Sequence, residues 1–305
     1  MKPITQEDDR LGFVGIGYMG RPIARRLLES GFKLTAYDRN RAKAEELIPY
    51  GGNVAQSVSE LSSSCTVVLS CLPSDEAILD IYGGSGGVFA NANRGLKVID
   101  LSTVYPETSQ QLSRRGLERG VDVLDVTISG STPAAENGLL TLFGGGDNKY
   151  FDAAESIFRV IAKKYFYLGP SGSGATMKLV VNTLLGIGMQ AIAEAVALGE
   201  KAGLDRNRFL DVLSQTAVVA PAHVGKLQRA MKSDYSPQFP MRLMNKDFGL
   251  IFNLAVAVGA RMPAAEVAFE INARQLDEGA EQDFSAVILQ MEKRAHLGSS
   301  GNRRT

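Results

Sequence analysis

The sequence has no tryptophan, only two cysteines and two histidines in 305 residues, and its 33 basic side chains are offset by 33 acidic ones. Zero net charge removes the electrostatic footprint that counterion-release binding to nucleic acid or attraction to anionic lipid requires. Cys65 and Cys71 lie six residues apart in an apolar run. If that run is a strand, their Cα atoms stand roughly 20 Å apart, too far for a disulfide. Free thiols suit a reducing cytoplasm, and the polar, acidic start MKPITQEDDR lacks the basic-then-apolar order of an export signal. His223 and His296 are far apart in the chain, and no H-x-x-x-H or C-x-x-C spacing occurs, so no metal site is expected. A membrane span is also disfavoured. The longest apolar region, Met177 to Leu198, carries Lys178, Asn182, Gln190 and Glu194, the mark of a buried helix with functional polar groups.

What is present is an ordinary globular composition, 45% hydrophobic and 22% charged, in a chain long enough for two domains. Seven short apolar runs alternate with amphipathic stretches: 11–16, 33–37, 66–71, 97–101, 122–126, 140–143 and 165–168. Such alternation implies an open, mainly parallel α/β sheet. After Gly169-Pro-Ser-Gly172 the strand signals stop and helices follow, near 174–202, 206–217, 221–233, 243–259, 263–278 and 284–294. The fold class expected is α/β: a Rossmann-type dinucleotide-binding domain over 1–170, then an all-α domain over 171–296 joined to it by a long interdomain helix. A ligand would sit in the cleft at that junction. Residues 297–305, small and polar, read as a flexible tail.

The segment LGFVGIGYMGRPIA sets G-x-G-x-x-G between a strand and a helix. Gly15 permits the tight turn, Gly17 lets backbone N–H groups approach a pyrophosphate, and Gly20 allows close helix packing. Tyr18 and Met19 lie between them, against the same ligand. Asp38, 23 residues after Gly15, stands where an acidic side chain meets the adenosine ribose, which favours NAD. Arg39 and Arg41 are suited to a 2′-phosphate, so NADP stays open.

Gly174, Lys178 and Asn182 recur every four residues in an apolar helix, on one stripe. A lysine and an asparagine on a buried stripe need partners. Beside a cleft they would serve as proton donor and substrate anchor, burial drawing the amine toward working pH. On these residues alone, a lysine reaching solvent and an asparagine bonded to a neighbouring helix fit equally well.

Taken together, GFVGIGYMG at 12–20, CLP at 71–73, IDLSTVYPETS at 99–109, ISGSTPAAENGLLTLFGGG at 128–146, GSGATMKLVVN at 172–182 and NKD at 245–247 resemble, in order, the β-hydroxyacid dehydrogenase family. Its members include 3-hydroxyisobutyrate dehydrogenase and tartronate semialdehyde reductase. The resemblance runs from Leu11 to Glu292. It implies hydride transfer between a nicotinamide coenzyme and a small β-hydroxy acid or the matching semialdehyde. Lys178 would be the acid/base, and Asn182 would bind the reacting or an adjacent oxygen. Ser129, Gly130 and Ser131 would hold the carboxylate, with Gly174 leaving room for close approach. Leu72, Pro73 and Thr103 would line the coenzyme groove, and Lys246 would approach the coenzyme from the helical domain, Asp247 being structural.

Thr132-Pro133 reads independently as N-cap and first residue of a short helix, whose start would favour an anion. Where the family commonly reads Asp-Ala-Pro-Val-Ser-Gly-Gly, this chain has Asp125-Val-Thr-Ile-Ser-Gly-Ser131, which leaves the substrate's identity open. An imine reductase shares the architecture but by family comparison usually lacks the lysine. A non-catalytic dinucleotide-binding module need not keep Lys178, Asn182 and Ser129 together. His223, in VVAPAHVG, reads as packing near the cleft or a subunit interface. The apolar faces at 177–198 and 250–258 imply a homodimer or homotetramer, as in the family.

Overall fold

The computed structural model describes residues 1–297; of the tail expected over 297–305, residues 298–305 lie outside the described residues. It divides into two compact units, one from Met1 to Leu179 and one from Val180 onward.

The first unit is built on one eight-stranded sheet. Its strands are β1 (Arg10–Val14), β2 (Lys33–Tyr37), β3 (Asn53–Val54), β4 (Val67–Ser70), β5 (Lys97–Asp100), β6 (Asp122–Ser129), β7 (Leu140–Gly145) and β8 (Ala162–Tyr167). They lie in the order β3-β2-β1-β4-β5-β6-β7-β8. Every neighbouring pair is parallel except β6 and β7. The seven expected strands all form; β3, two residues long, carries too little pattern to be read from sequence. The helices of this unit are α1 (Gly20–Glu29), α2 (Arg41–Glu45), α3 (Val58–Ser64), α4 (Asp75–Gly83), α5 (Pro106–Glu118), α6 (Thr132–Glu136), α7 (Asn148–Ala153) and α8 (Glu155–Ile161).

Residues alternate across the sheet as the two-residue strand period demands. Leu11, Phe13, Leu69, Ile99 and Leu124 enter one buried apolar cluster, while Val14, Val68, Val98 and Val123 enter another. Both faces are therefore covered, which is why these strands read as continuous apolar runs. Strand order reverses at β1, with β2 on one side and β4 on the other. The carboxyl edge there is the topological switch point at which open α/β sheets bind ligands.

The long helix α9 (Ser173–Lys201) follows. Its start belongs to the first unit, so the compact units part inside the helix. The reason is packing: Ala175 and Leu179 are buried, and the first turn is bonded to β6, as described below. By length and composition α9 could cross a membrane, yet Leu179, Met189, Ala193 and Val196 are buried.

The second unit continues with α10 (Arg206–Ser214), α11 (Pro221–Ala230), α12 (Met241–Val258), α13 (Pro263–Gly279) and α14 (Val287–Arg294). As expected, it is helical, with one isolated β-bridge among the described residues, between Pro240 and Asp283. That bridge is tied by a buried ion pair. The fully buried Asp283 accepts Lys226 Nζ at 2.7 Å and the N–H groups of Gln238 and Phe239 on Oδ2, with the Ser285 hydroxyl on Oδ1. These bonds fix the segment that enters α12.

Removing one partner of such a pair leaves an uncompensated buried charge, which is more damaging than replacing both. Lys226→Met should therefore lower stability by about 3–5 kcal/mol in chemical denaturation. The double replacement of Lys226 by Met and Asp283 by Leu should recover part of the loss.

Candidate active site

β1, β2, β4, β5 and β6 are parallel, so the residues that follow them share one edge of the sheet. The glycine turn stands at its centre. Gly15 adopts φ +93°, and a Cβ there would lie 2.4 Å from the Cys71 carbonyl oxygen. At Gly20, the first residue of α1, a Cβ would fall 1.9 Å from the Gly15 carbonyl oxygen. Both glycines are thus demanded by backbone contact. Nothing lies within 4 Å of a Cβ placed on Gly17, which leaves an open cradle of the kind a pyrophosphate requires. Tyr18 is exposed and Met19 half-buried, the latter capping α1.

Asp38 follows β2 and closes this turn: Oδ2 accepts the Ile16 N–H and Oδ1 the Asn40 N–H, each at 2.8 Å. Part of its hydrogen-bonding capacity therefore serves the loop itself. Arg41 is held by Glu45 and Gln56. Arg39 is exposed.

The strand ends carry a buried polar row that the sequence reading missed. Ser70 on β4, Asp100 on β5 and Asp125 on β6 occupy successive register positions, followed by Gly145 on β7. Asp100 Oδ1 accepts the Ser70 and Ser102 hydroxyls at 2.7 and 2.6 Å and the Ser102 N–H at 3.2 Å. Ser70 in turn accepts the Tyr82 hydroxyl, and the Ser102 hydroxyl oxygen accepts the Leu72 N–H at 2.8 Å. The network orders the β4 and β5 ends that carry Leu72, Pro73 and Thr103. Burial pushes the Asp100 carboxyl up to about 6, beyond what its hydroxyl partners offset, and the Asp125 charge adds to the rise. The signal was legible in retrospect: an aspartate closes each of the apolar runs VID and VLD.

β6 ends at the Ser129-Gly130-Ser131 loop. Gly130 has φ +143°, which explains the glycine. Ser131, not Thr132, is the N-cap of α6, with Pro133 in the first turn; its side chain makes no cap bond. Both serines are half-buried. The Thr132 hydroxyl touches Met19 Sδ at 4.0 Å, which brings this loop beside the glycine turn.

The same strand holds the start of α9. Asp125, 2% exposed, accepts the Gly172 N–H on Oδ1 at 2.9 Å and the Ala175 N–H on Oδ2 at 3.0 Å. The Thr127 hydroxyl donates to the Gly174 carbonyl at 2.8 Å. Space at Gly174 is filled by the protein: a Cβ would meet the carbonyl oxygens of Phe143 at 2.4 Å and Asp125 at 2.5 Å. This corrects the expectation that the glycine leaves room for substrate. Lys178, half-buried, follows one turn later.

In the second unit, Asn182 is fully buried and donates from Nδ2 to Asp247 Oδ2 at 2.6 Å. Its Oδ1 has no hydrogen-bond partner among the described residues. Asp247 is 1% exposed and also meets Lys246 Nζ at 3.0 Å. His223 is buried against Gly188, with Nε2 3.0 Å from the Leu185 carbonyl, which is the packing role expected of it. No group of three or more His, Cys, Asp or Glu side chains placed to hold a metal occurs among the described residues.

Comparison with known proteins shows which sequences and folds this chain is similar to. Residues 10–169 match the family model described as the NAD binding domain of 6-phosphogluconate dehydrogenase. Residues 172–291 match the one described as NAD-binding of NADP-dependent 3-hydroxyisobutyrate dehydrogenase. The chain is 36% identical over 280 residues to glyoxylate/succinic semialdehyde reductase 1 of Arabidopsis thaliana, covering 91% of this chain and 96% of that one. It is 32% identical to the NAD-dependent L-serine dehydrogenase of Pseudomonas aeruginosa, covering 91% and 96%. A crystal structure of 3-hydroxyisobutyrate dehydrogenase from Salmonella typhimurium superposes with a TM-score of 0.85 at 25% identity, covering 92% of this chain and 99% of that one.

The Asp100 network has a consequence for pH. A carboxyl whose folded value lies above its unfolded one binds more protons in the native state. Its contribution is therefore present in acid and is lost as pH rises from about 4 to about 6. Asp100→Asn keeps the acceptor and removes the ionisation. Melting curves from pH 4 to 7 should show the parent losing stability relative to this variant across that window, with the difference constant above it.

Proposed function

Because the chain belongs to the β-hydroxyacid dehydrogenase family, whose members transfer hydride with NAD(P), we propose that its substrate is a small β-hydroxy acid or the matching semialdehyde or keto acid. The observation that carries the reading is a shared strand. β6 ends in the Ser129 loop beside the dinucleotide turn, and it also holds the start of the helix that bears Lys178. Of the substrates named for the relatives above, serine is a β-hydroxy acid, while glyoxylate and succinic semialdehyde carry their aldehyde on the α- and γ-carbon; all three are small carboxylates with one oxygen function open to hydride transfer.

The coenzyme, when bound, supplies the hydride acceptor or donor; the residues suited to hold it are Gly15, Gly17, Tyr18, Met19, Gly20, Asp38, Leu72, Pro73, Thr103 and Lys246. Ser129, Gly130 and Ser131 bind the substrate carboxylate. In oxidation Lys178, as the neutral amine, takes the proton of the substrate hydroxyl while its carbon gives up hydride and becomes a carbonyl. In reduction the ammonium returns that proton to the developing alkoxide. Asn182, oriented by Asp247, hydrogen-bonds the reacting or neighbouring oxygen. The remaining gain comes from holding the reactants in register.

Two finer assignments accompany this one. Asp38 keeps lone pairs for a ribose diol, and NAD is the preferred coenzyme; Arg39 is the competing group, suited to a 2′-phosphate. The enzyme is a cytoplasmic homo-oligomer. α9 exposes Val180, Leu184 and Leu198, and α12 exposes Val256 and Val258, apolar side chains that a second subunit would cover.

Lys178→Ala should lower kcat by about 10²- to 10⁴-fold, the usual range for a positioned acid/base, with coenzyme affinity measured by fluorescence titration nearly unchanged. Near-normal turnover would remove the lysine from the reaction. Nicotinamide absorbance assays with both coenzymes, against glyoxylate, succinic semialdehyde and serine, should favour NAD, and Asp38→Asn should shift the ratio toward NADP. A parent that prefers NADP and loses that preference in Arg39→Ala would reverse the coenzyme assignment.

A further inference from the structure

Asp125, Thr127 and Ser129 are alternate residues of β6 and so face the same side of the sheet. The first two hold α9; the third begins the carboxylate loop. Asp125 spans the helix start with both oxygens, on the N–H groups of Gly172 and Ala175, where a carboxylate satisfies otherwise orphaned donors and meets the positive end of the helix dipole. Thr127 adds a bond to the Gly174 carbonyl at 2.8 Å, at a position where the family pattern carries proline and no such donor exists. The fit is close on every side. A Cβ on Gly145 would stand 2.7 Å from Asp125 Oδ1, and one on Gly174 would strike two backbone carbonyls.

We infer that Asp125 is a positioning residue for Lys178, and that with Thr127 and Gly174 it forms a latch setting the reach of the lysine from the Ser129 loop. The inference rests on the role given to Lys178 above. The latch holds the first turn of α9, and Lys178 is the next polar residue down the same stripe, so a loosened first turn moves the amine. A shift near 1 Å can reduce turnover by about 10²-fold without touching the reacting groups.

Three variants test this, each assayed well below its own melting temperature. Asp125→Asn loses one of two acceptors, Thr127→Val removes only a hydroxyl, and Gly174→Ala forces the helix away from β6. The expected result is a fall in kcat of about 10- to 100-fold for Asp125→Asn and Gly174→Ala, and a smaller fall for Thr127→Val. KM and coenzyme affinity should stay within about threefold. A second readout needs neither coenzyme nor substrate. Acylation of Lys178 in the apoprotein, followed by peptide mass spectrometry, should speed up several-fold in the variants, while Lys149, exposed on α7, should react as before.

Lowered melting temperatures with unchanged kcat and unchanged Lys178 labelling would reduce the three residues to ordinary stabilisers and overturn the inference. So would a uniform loss of coenzyme binding. Should Lys178→Ala retain turnover, the acid/base reading fails first; should that variant be inactive while the latch variants work normally, only the latch fails.

Discussion

One constraint organises the first unit: a carboxylate buried within a sheet must find donors, and the donors Asp125 finds are the opening N–H groups of α9. An unpaired carboxylate there would be costly, and a helix start without acceptors would be costly too. Each need answers the other. The result is a junction in which a strand and a 29-residue helix are joined by side-chain bonds as well as by apolar contact.

The neighbouring strand repeats the device with different partners. Asp100 is surrounded by hydroxyls rather than helix amides, and through Ser102 it holds the Leu72 N–H in the segment following β4. The two aspartates occupy adjacent register positions, and their proximity adds to the pressure that holds Asp100 toward its protonated form. Charge in this row thus has different work on each strand, ordering the segments that follow β4 and β5 and the lysine-bearing helix against β6. The second unit uses the same economy at Asp283, which gathers Lys226, two backbone N–H groups and a serine around one buried carboxylate.

Much of the arrangement was legible in advance. The alternation of short apolar runs with amphipathic stretches located seven of eight strands and the switch to helices, because buried parallel strands and core helices differ in period and length. The glycine turn was readable because its glycines answer local demands, a positive φ at Gly15 and backbone contacts at Gly15 and Gly20. Family motifs pointed to Lys178, Asn182 and the Ser129 loop. They did not reveal why Thr127 replaces a proline, since that hydroxyl meets a carbonyl 47 residues further along the chain.

By itself, then, the sequence determined the class of fold, the dinucleotide turn and the candidate proton-transfer residue, all of them properties of patterns within a few dozen residues. Tertiary structure decided what the buried aspartates hold, why residue 174 must be glycine, that the Asn182 amide is already committed to Asp247, and that the compact units part within α9. These depend on contacts between segments far apart in the chain. Local periodicity carries no record of which distant donor a buried carboxylate will meet.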